Sequence, residues 1–443
     1  MNDLLARDRA HLIHPQHERA ACDAAHVWIK GEGALLTDAS GGEYLDGLAG
    51  LWNVIAGHGR TELADAARDQ MTALAFASGY AGSTNLRAIE LGERLSAITY
   101  PSINRFFFTS GGAEANETAI KVARSFWKLR GKPAKTKVIS RELGYHGVTL
   151  AAMSATGLSG YWPRFEPRVP GFMHIPSPYP YRYRAPAGIS PGIAAANELE
   201  QAILREGAET IAMFLAEPVQ GVGGVIVPQD DYFARVRAIC DEHDVLFGAD
   251  EVITGFGRTG RMFALEHWGV QPDLVSFAKG ITSGYFPFGG VGVNDEIAAA
   301  LDSETTPWMH AFTYSAHPVG CAVAAQMLDI LDREGLVSRA AALGEQLLAR
   351  LQTSLGDHRH VGEIRGLGLM CAVEFVQDRA TKAEFPASEK VGARINAEAQ
   401  RRGLFSRNRG DIYMLAPPFV VTTEQIDRMV DILSESVHAV LET

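Results

Sequence analysis

Two residues of complementary chemistry, Asp250 and Lys279, stand 29 positions apart. Asp250 closes the run Val245-Leu246-Phe247-Gly248-Ala249, and Lys279 closes the run Leu274-Val275-Ser276-Phe277-Ala278. Between them lie a Gly-rich turn, Gly255 to Gly260, and a short helix expected around Met262–Trp268. That spacing matches one strand–helix–strand crossover. In an open α/β sheet the loops at the carboxyl ends of neighbouring strands share one crevice, so the acid and the amine should face the same ligand. A lysine at the end of a buried strand is partly desolvated, which favours its neutral, nucleophilic form. The chemistry that needs such a pair is that of pyridoxal phosphate: a lysine carries the cofactor as a Schiff base, and an acid keeps the pyridine nitrogen protonated. Val252, two residues beyond Asp250, should face the same side and pack against a flat ring. Each residue also has a plainer reading, a solvated surface amine for Lys279 and a turn or capping acid for Asp250.

A phosphate needs its own site. Ser110-Gly111-Gly112-Ala113 follows the strand candidate Arg105–Thr109 and opens a helix, where free N–H groups and the helix dipole attract anions. A simple tight turn is the alternative. Thr313, in His310-Ala311-Phe312-Thr313-Tyr314-Ser315, offers a hydroxyl or merely a turn. Tyr145-His146-Gly147 follows the strand candidate Lys137–Ser140, and its ring could stack on a cofactor or fill the core. Glu217 ends the run Thr210–Ala216 ahead of Pro218, either as a turn acid or as a partner for a ring oxygen. Arg407, in Phe405-Ser406-Arg407-Asn408-Arg409-Gly410, is solvated charge or a bidentate clamp for a substrate carboxylate.

The elements that must position these groups alternate strand and helix, which argues for a mostly parallel sheet wrapped by helices. Residues 1–60 read as an arm with short strands near Val27–Ile29, Ala34–Thr37 and Glu43–Gly47. Helices are expected from Thr61 to Leu74, over Leu86–Ile98 and up to about Arg130. Residues 161–191, rich in Pro, Tyr and Arg, read as an excursion over the surface. Beyond Pro318 the pattern becomes a helix to about Glu334, then helix Leu336–Leu355, strand Met370–Phe375, helix Ser388–Arg402, strands Leu404–Arg407 and Tyr413–Ala416, and a last helix. Thr422-Thr423-Glu424-Gln425 has capping-box spacing for that helix.

The 443 residues are 47% hydrophobic and 21% charged, the profile of a globular protein with a large core. A net charge of −11 argues against nucleic acid or an anionic membrane as the main partner. Cys22, Cys240, Cys321 and Cys371 are scattered without a CxxC pair, and the fourteen histidines show no HExxH, so no metal signature is present. There is no run of 18 apolar residues and no apolar leader at the start, and a cytoplasmic address is expected. No GxGxxG follows the first strand, which speaks against a nicotinamide dinucleotide.

Taken in order, Gly47-Leu48-Ala49-Gly50-Leu51-Trp52, Ser110 to Asn116, Tyr145-His146-Gly147, Glu217-Pro218-Val219-Gln220-Gly221, Asp250-Glu251-Val252, Gly255-Phe256-Gly257-Arg258-Thr259-Gly260, Ala278-Lys279-Gly280 and Thr313-Tyr314-Ser315 resemble the class III pyridoxal-phosphate aminotransferases, or ω-transaminases. The likeness runs from Gly47 to Ala416-Pro417-Pro418. It implies fold type I: a large domain with a mostly parallel seven-stranded sheet, and a small α+β domain built from both chain ends. The corresponding division is residues 1–60 (arm and part of the small domain), 61–325 (large domain) and 326–443 (small domain).

The resemblance further implies that Lys279 binds pyridoxal 5'-phosphate and moves the substrate proton, and that Asp250 pairs with the ring nitrogen. Tyr145 would stack on the ring with Val252 behind it. Ser110, Gly111, Gly112 and Ala113 would hold the phosphate, with His146 and Glu217 close to the cofactor. Thr313 would reach the phosphate of a neighbouring subunit, so a homodimer is expected, with a tetramer open. Trp52, Tyr80 and Ala81 would wall the substrate pocket, and Arg407 would clamp the keto-acid carboxylate. The chain departs from the family at Ala113, where a serine is usual, at Gly248-Ala249, where bulkier aliphatics are usual, and at Arg409, a second cation beside Arg407. The expected activity is a ping-pong transfer from an ω-amino acid, diamine or primary amine to a keto acid, pyruvate before 2-oxoglutarate. An aminomutase or decarboxylase reaction on the same scaffold is the alternative.

Overall fold

The structure, a computed structural model, describes residues 2–16, 25–80 and 82–442. Its centre is a seven-stranded sheet in the spatial order Ile103–Thr109, Gly289–Asn294, Leu274–Phe277, Leu246–Asp250, Ile211–Ala216, Lys137–Arg141, Phe172–Ile175. Gly289–Asn294 is antiparallel to both neighbours, and the other six strands run the same way. Ile211–Ala216, Leu246–Asp250 and Leu274–Phe277 are buried at every position. This is why they read as unbroken apolar runs: both faces of a parallel sheet are covered by helices.

The helix Gly112–Leu129 follows the edge strand Ile103–Thr109 and buries Ala115, Asn116, Ala119, Ile120, Ala123, Phe126 and Trp127, a stripe at helical spacing. Phe214 and Phe247 from adjacent strands stack at 6.1 Å, and Phe233 from the helix Tyr232–Glu242 stacks on Phe247 at 5.9 Å. This aromatic layer stiffens the strands that end in Glu217 and Asp250.

Two smaller sheets lie at the chain ends. Trp28–Glu32, Leu35–Asp38 and Glu43–Asp46 form a meander, and Leu404–Phe405 pairs in parallel with Glu43–Asp46. The other sheet has the order Val361–Gly366, Cys371–Phe375, Ile412–Leu415, Arg407–Arg409. The last helix, Thr423–Leu441, starts with a capping box in which Thr422 and Gln425 exchange hydrogen bonds.

Several expectations are corrected. The stretch 161–191 is more than a surface excursion, because Phe172–Ile175 within it is the seventh strand of the central sheet. The arm begins with a helix, Asn2–His11, and the strand Val361–Gly366 was not foreseen. The run Leu404–Arg407 divides at Ser406, and its halves join different sheets. The helix expected from Ser388 starts at Val391, after a 3₁₀ turn Ala387–Glu389. The helix expected at Met262–Trp268 is a 3₁₀ segment, Ala264–Trp268. No helix of the described residues is long and apolar enough to cross a membrane.

Candidate active site

Five strands of the central sheet deliver chemistry at their carboxyl ends. Ile103–Thr109 leads to Gly112 and Ala113, Lys137–Arg141 to Tyr145 and His146, and Ile211–Ala216 to Glu217. Leu246–Asp250 ends in Asp250, and Leu274–Phe277 leads to Lys279. These side chains, with Asn116, Gly147, Val252 and Ile253, line a cavity of about 170 Å³.

Asp250, only 3% exposed, is held by three donors. Oδ2 accepts the Asn116 amide Nδ2–H at 2.7 Å and lies 2.8 Å from His146 Nδ1, while Oδ1 accepts the Val252 N–H at 3.1 Å. The second Asn116 amide proton goes to the His146 carbonyl at 2.8 Å, and the His146 N–H goes to the Thr156 hydroxyl at 2.9 Å. The carboxylate is thus aimed by groups from two other segments and by its own backbone at Val252, and has little rotational freedom.

Lys279 begins a 3₁₀ turn with φ of 48°, in the left-handed region that a lysine seldom occupies. Such strain persists only where the surroundings enforce it, and it collects at working sites. Desolvation pushes the Lys279 amine down to about 8, while Asp250 and Glu217 pull the other way. Glu217 accepts the N–H groups of Tyr145 and Gly221, each at 2.9 Å. Burial raises the Glu217 carboxyl above its ordinary value; His146 opposes this and Asp250 adds to it. Burial likewise raises the Tyr145 phenol, and its ring lies 5.6 Å from that of Tyr161.

The remaining candidates are placed less uniformly. The helix N-terminus at Gly111–Ala113 opens on the cavity through Gly112 and Ala113; the Ser110 N–H is taken by the Glu114 carboxylate at 2.8 Å. Trp52 lines neither this cavity nor the larger one beside it. It is buried in an apolar cluster with Leu48, Val219, Ile253 and Met370. A strained turn, with positive φ at Ala49, Gly50 and Trp52, carries it; Asp46 braces that turn by accepting the Leu48 and Gly50 N–H groups. Tyr80 and Thr313 are exposed on this chain and do not line the cavity, and Ala81 lies outside the described residues.

Arg407 lines the larger cavity and donates from Nη2 to Gln16 Oε1 at 2.8 Å; Arg409 reaches the Gly223 carbonyl at 3.3 Å. Sequence reasoning overlooked Asn116. The available signal was its position one helical turn beyond Gly112, on the face that Gly112 presents to the crevice.

The cavity suits pyridoxal phosphate on its own evidence. It combines an amine of lowered pKa, a braced carboxylate and a helix N-terminus. Asn116 Oδ1 is a buried acceptor without a partner among the described residues. A Cβ added at Gly112 would come within 2.7 Å of Val252 Cγ1, so the glycine keeps open the space between the helix start and that wall.

The sequence profile of the class III aminotransferases matches residues 18–437. A putrescine–pyruvate aminotransferase of Pseudomonas aeruginosa is 40% identical over 424 residues, 94% of this chain and 92% of that protein. An (S)-enantioselective ω-transaminase from Thermomicrobium roseum superposes with a TM-score of 0.95 at 48% identity, covering 99% of this chain and 98% of the other. The ω-transaminase of Pseudomonas jessenii, solved with pyridoxamine phosphate, gives 0.96 at 37% identity, covering 99% and 98%. Fold and profile agree with the cavity's chemistry: the chain belongs to the class III aminotransferases and is a pyridoxal-phosphate-dependent enzyme.

Proposed function

We propose that this aminotransferase moves the amino group of an ω-amino acid, a diamine or another primary amine to a keto acid, pyruvate foremost, in two half-reactions at one site. One observation carries the reading: an enclosed amine of lowered pKa, Lys279, shares a small cavity with a braced carboxylate, Asp250. Pyridoxal phosphate, when bound, supplies the electron-withdrawing ring on which the amino group is exchanged. All other roles fall to the chain.

Lys279 Nζ would take the proton from the carbon that bears the substrate's amino group and pass it to the carbon through which the cofactor holds that group. Asp250 would keep a proton on the ring nitrogen, and Val252 and Tyr145 would flank the ring. The Gly111, Gly112 and Ala113 N–H groups and the Ser110 hydroxyl would hold the phosphate, and His146 steadies Asp250. Glu217, fixed by two backbone donors, serves the phenolic oxygen or the substrate. Thr313, exposed on this chain, completes the phosphate site of a second copy, so the working unit is a homodimer in the cytoplasm. Tyr80 and Ala81 narrow the substrate space in that assembly, and Trp52 backs its wall from behind Ile253. Arg407 grips the keto-acid carboxylate and swings aside for a neutral donor, because a fixed buried cation would then go unpaired. Residues 61–325 form the cofactor-binding domain, and 1–60 with 326–443 form the part that carries Arg407.

The test is a donor panel run against pyruvate and against 2-oxoglutarate, followed through the cofactor's absorbance. Amine alone should convert the cofactor to its amino form, and pyruvate should restore it. Lys279→Ala should abolish turnover; full multiple-turnover activity in that variant would show that the base is another residue.

A further inference from the structure

A cavity of about 990 Å³ opens beside the small one. Tyr145 stands between them, with its ring 5.6 Å from Tyr161 in the wall of the larger space, and the Arg407 charge acts on its phenol. A tail that extends past Tyr145 from a reacting amine held near Lys279 would enter this second space. Its walls divide by chemistry. Leu143, Val148, Leu158, Phe165 and Met414 are apolar, whereas Arg164, Arg407 and Arg409 bring three guanidinium groups. No aspartate or glutamate stands among its described lining residues. Asp8, on the helix that leads into the Ile13–Gln16 wall, lies 2.6 Å from His14 Nε2.

The three arginines differ in availability. Arg409 is anchored at the Gly223 carbonyl and shares the field of Tyr179 and Glu374 with Arg365. Arg407 rests on a neutral amide oxygen, Gln16 Oε1, which a carboxylate can replace with a stronger, charge-assisted bond. Arg164 is exposed and has no hydrogen-bond or ion-pair partner among the described residues.

We propose that this cavity sorts amine donors by the charge at their far end, carboxylate before uncharged and uncharged before ammonium, and that Arg164 imposes the order together with Arg407. A distal ammonium would enter a space whose described lining holds three cations and no carboxylate, where like charges raise its energy. A distal carboxylate finds guanidinium forks that match its geometry. An apolar tail is accommodated by the leucine, phenylalanine and methionine walls. The inference rests on the transamination reading and narrows it: ω-amino acids and apolar amines remain as donors, and diamines drop out.

Three donors of equal chain length provide the test: 5-aminovalerate, pentylamine and cadaverine, each given to the holoenzyme without acceptor while the cofactor's absorbance is followed. The conversion rate per donor concentration should fall in that order. The first and last should differ by about tenfold or more, and the gap should shrink as salt is added, since the charges are partly solvated. Arg164→Glu should close most of that gap, with cadaverine rising and 5-aminovalerate falling relative to pentylamine, the internal reference. Arg164→Gln should fall between. Cadaverine equal to or faster than 5-aminovalerate in the native enzyme overturns the sorting. A ratio unmoved by Arg164→Glu overturns the role of Arg164. If none of the three converts the bound cofactor, the transamination reading itself fails, and this inference with it.

Discussion

Replacing the residue on which turnover depends should make the cofactor-free protein more stable. Folding lowers the Lys279 amine from 10.5 to about 8 because desolvation outweighs the pull of Asp250 and Glu217. A folded value below the unfolded one means that folding disfavours the charged amine. The penalty is therefore fully present below pH 8, fades as pH rises towards 10.5, and is gone above it. The difference corresponds to roughly 3 kcal/mol, and nearer 2 once the side chain's residual solvent contact through the cavity is allowed for. Methionine has a similar shape without the charge. With an unfolding entropy of about 2.1 cal/mol/K per residue, the apoenzyme of Lys279→Met should melt about 2–3 °C above the native apoenzyme at pH 7. The two should converge by about pH 10.5. Differential scanning calorimetry of both apoproteins across that range reads the gap directly. An unchanged or lower melting temperature at pH 7, or a gap that ignores pH, would refute the reasoning. The same shift leaves roughly 300-fold more neutral amine at pH 7 than an unperturbed lysine would have, which is what capture of a carbonyl requires.

Two further predictions concern the walls of the small cavity. Gly112→Ala places a methyl 2.7 Å from Val252 Cγ1, so it should weaken cofactor binding about tenfold or more. Adding Val252→Ala in the same chain should restore much of that affinity, measured by titrating the apoenzyme; unchanged affinity in the single variant would mean the glycine spares no needed space. Asn116→Leu removes a 2.7 Å donor from the Asp250 carboxylate and should speed cofactor loss roughly tenfold. Retained absorbance after dilution and gel filtration, with the fold intact by circular dichroism, would show that Asp250 does not depend on Asn116.

Local patterns were readable because local forces produce them. Helix Leu336–Leu355 was placed by its apolar period and the final helix by the Thr422–Gln425 capping spacing. The strands ending in Asp250 and Lys279 were marked by apolar runs, since burial on both faces leaves no alternation. Strands whose partners are distant in sequence were harder to see. Phe172–Ile175 is half-buried at the sheet edge, and its proline-rich surroundings resemble a loop. Leu404–Phe405 and Arg407–Arg409 look like one run, because the choice between two sheets is made by Glu43–Asp46 and Ile412–Leu415.

The sequence by itself determined the chemistry. An amine and an acid at the ends of two buried strands one crossover apart must meet in a crossover-connected sheet, and that pairing names the cofactor. The tertiary structure decided how the pair is equipped. Asn116 and His146 reach Asp250 from 134 and 104 residues away; helical spacing puts Asn116 on the Gly112 face, but the fold alone brings either residue to the carboxylate. It also separated Arg407 from Arg409, which share one face of a short strand and are indistinguishable by pattern. One is anchored at Gly223, and the other rests on the exchangeable amide of Gln16. That difference lies in what each guanidinium meets across the fold, and only the packed chain supplies it.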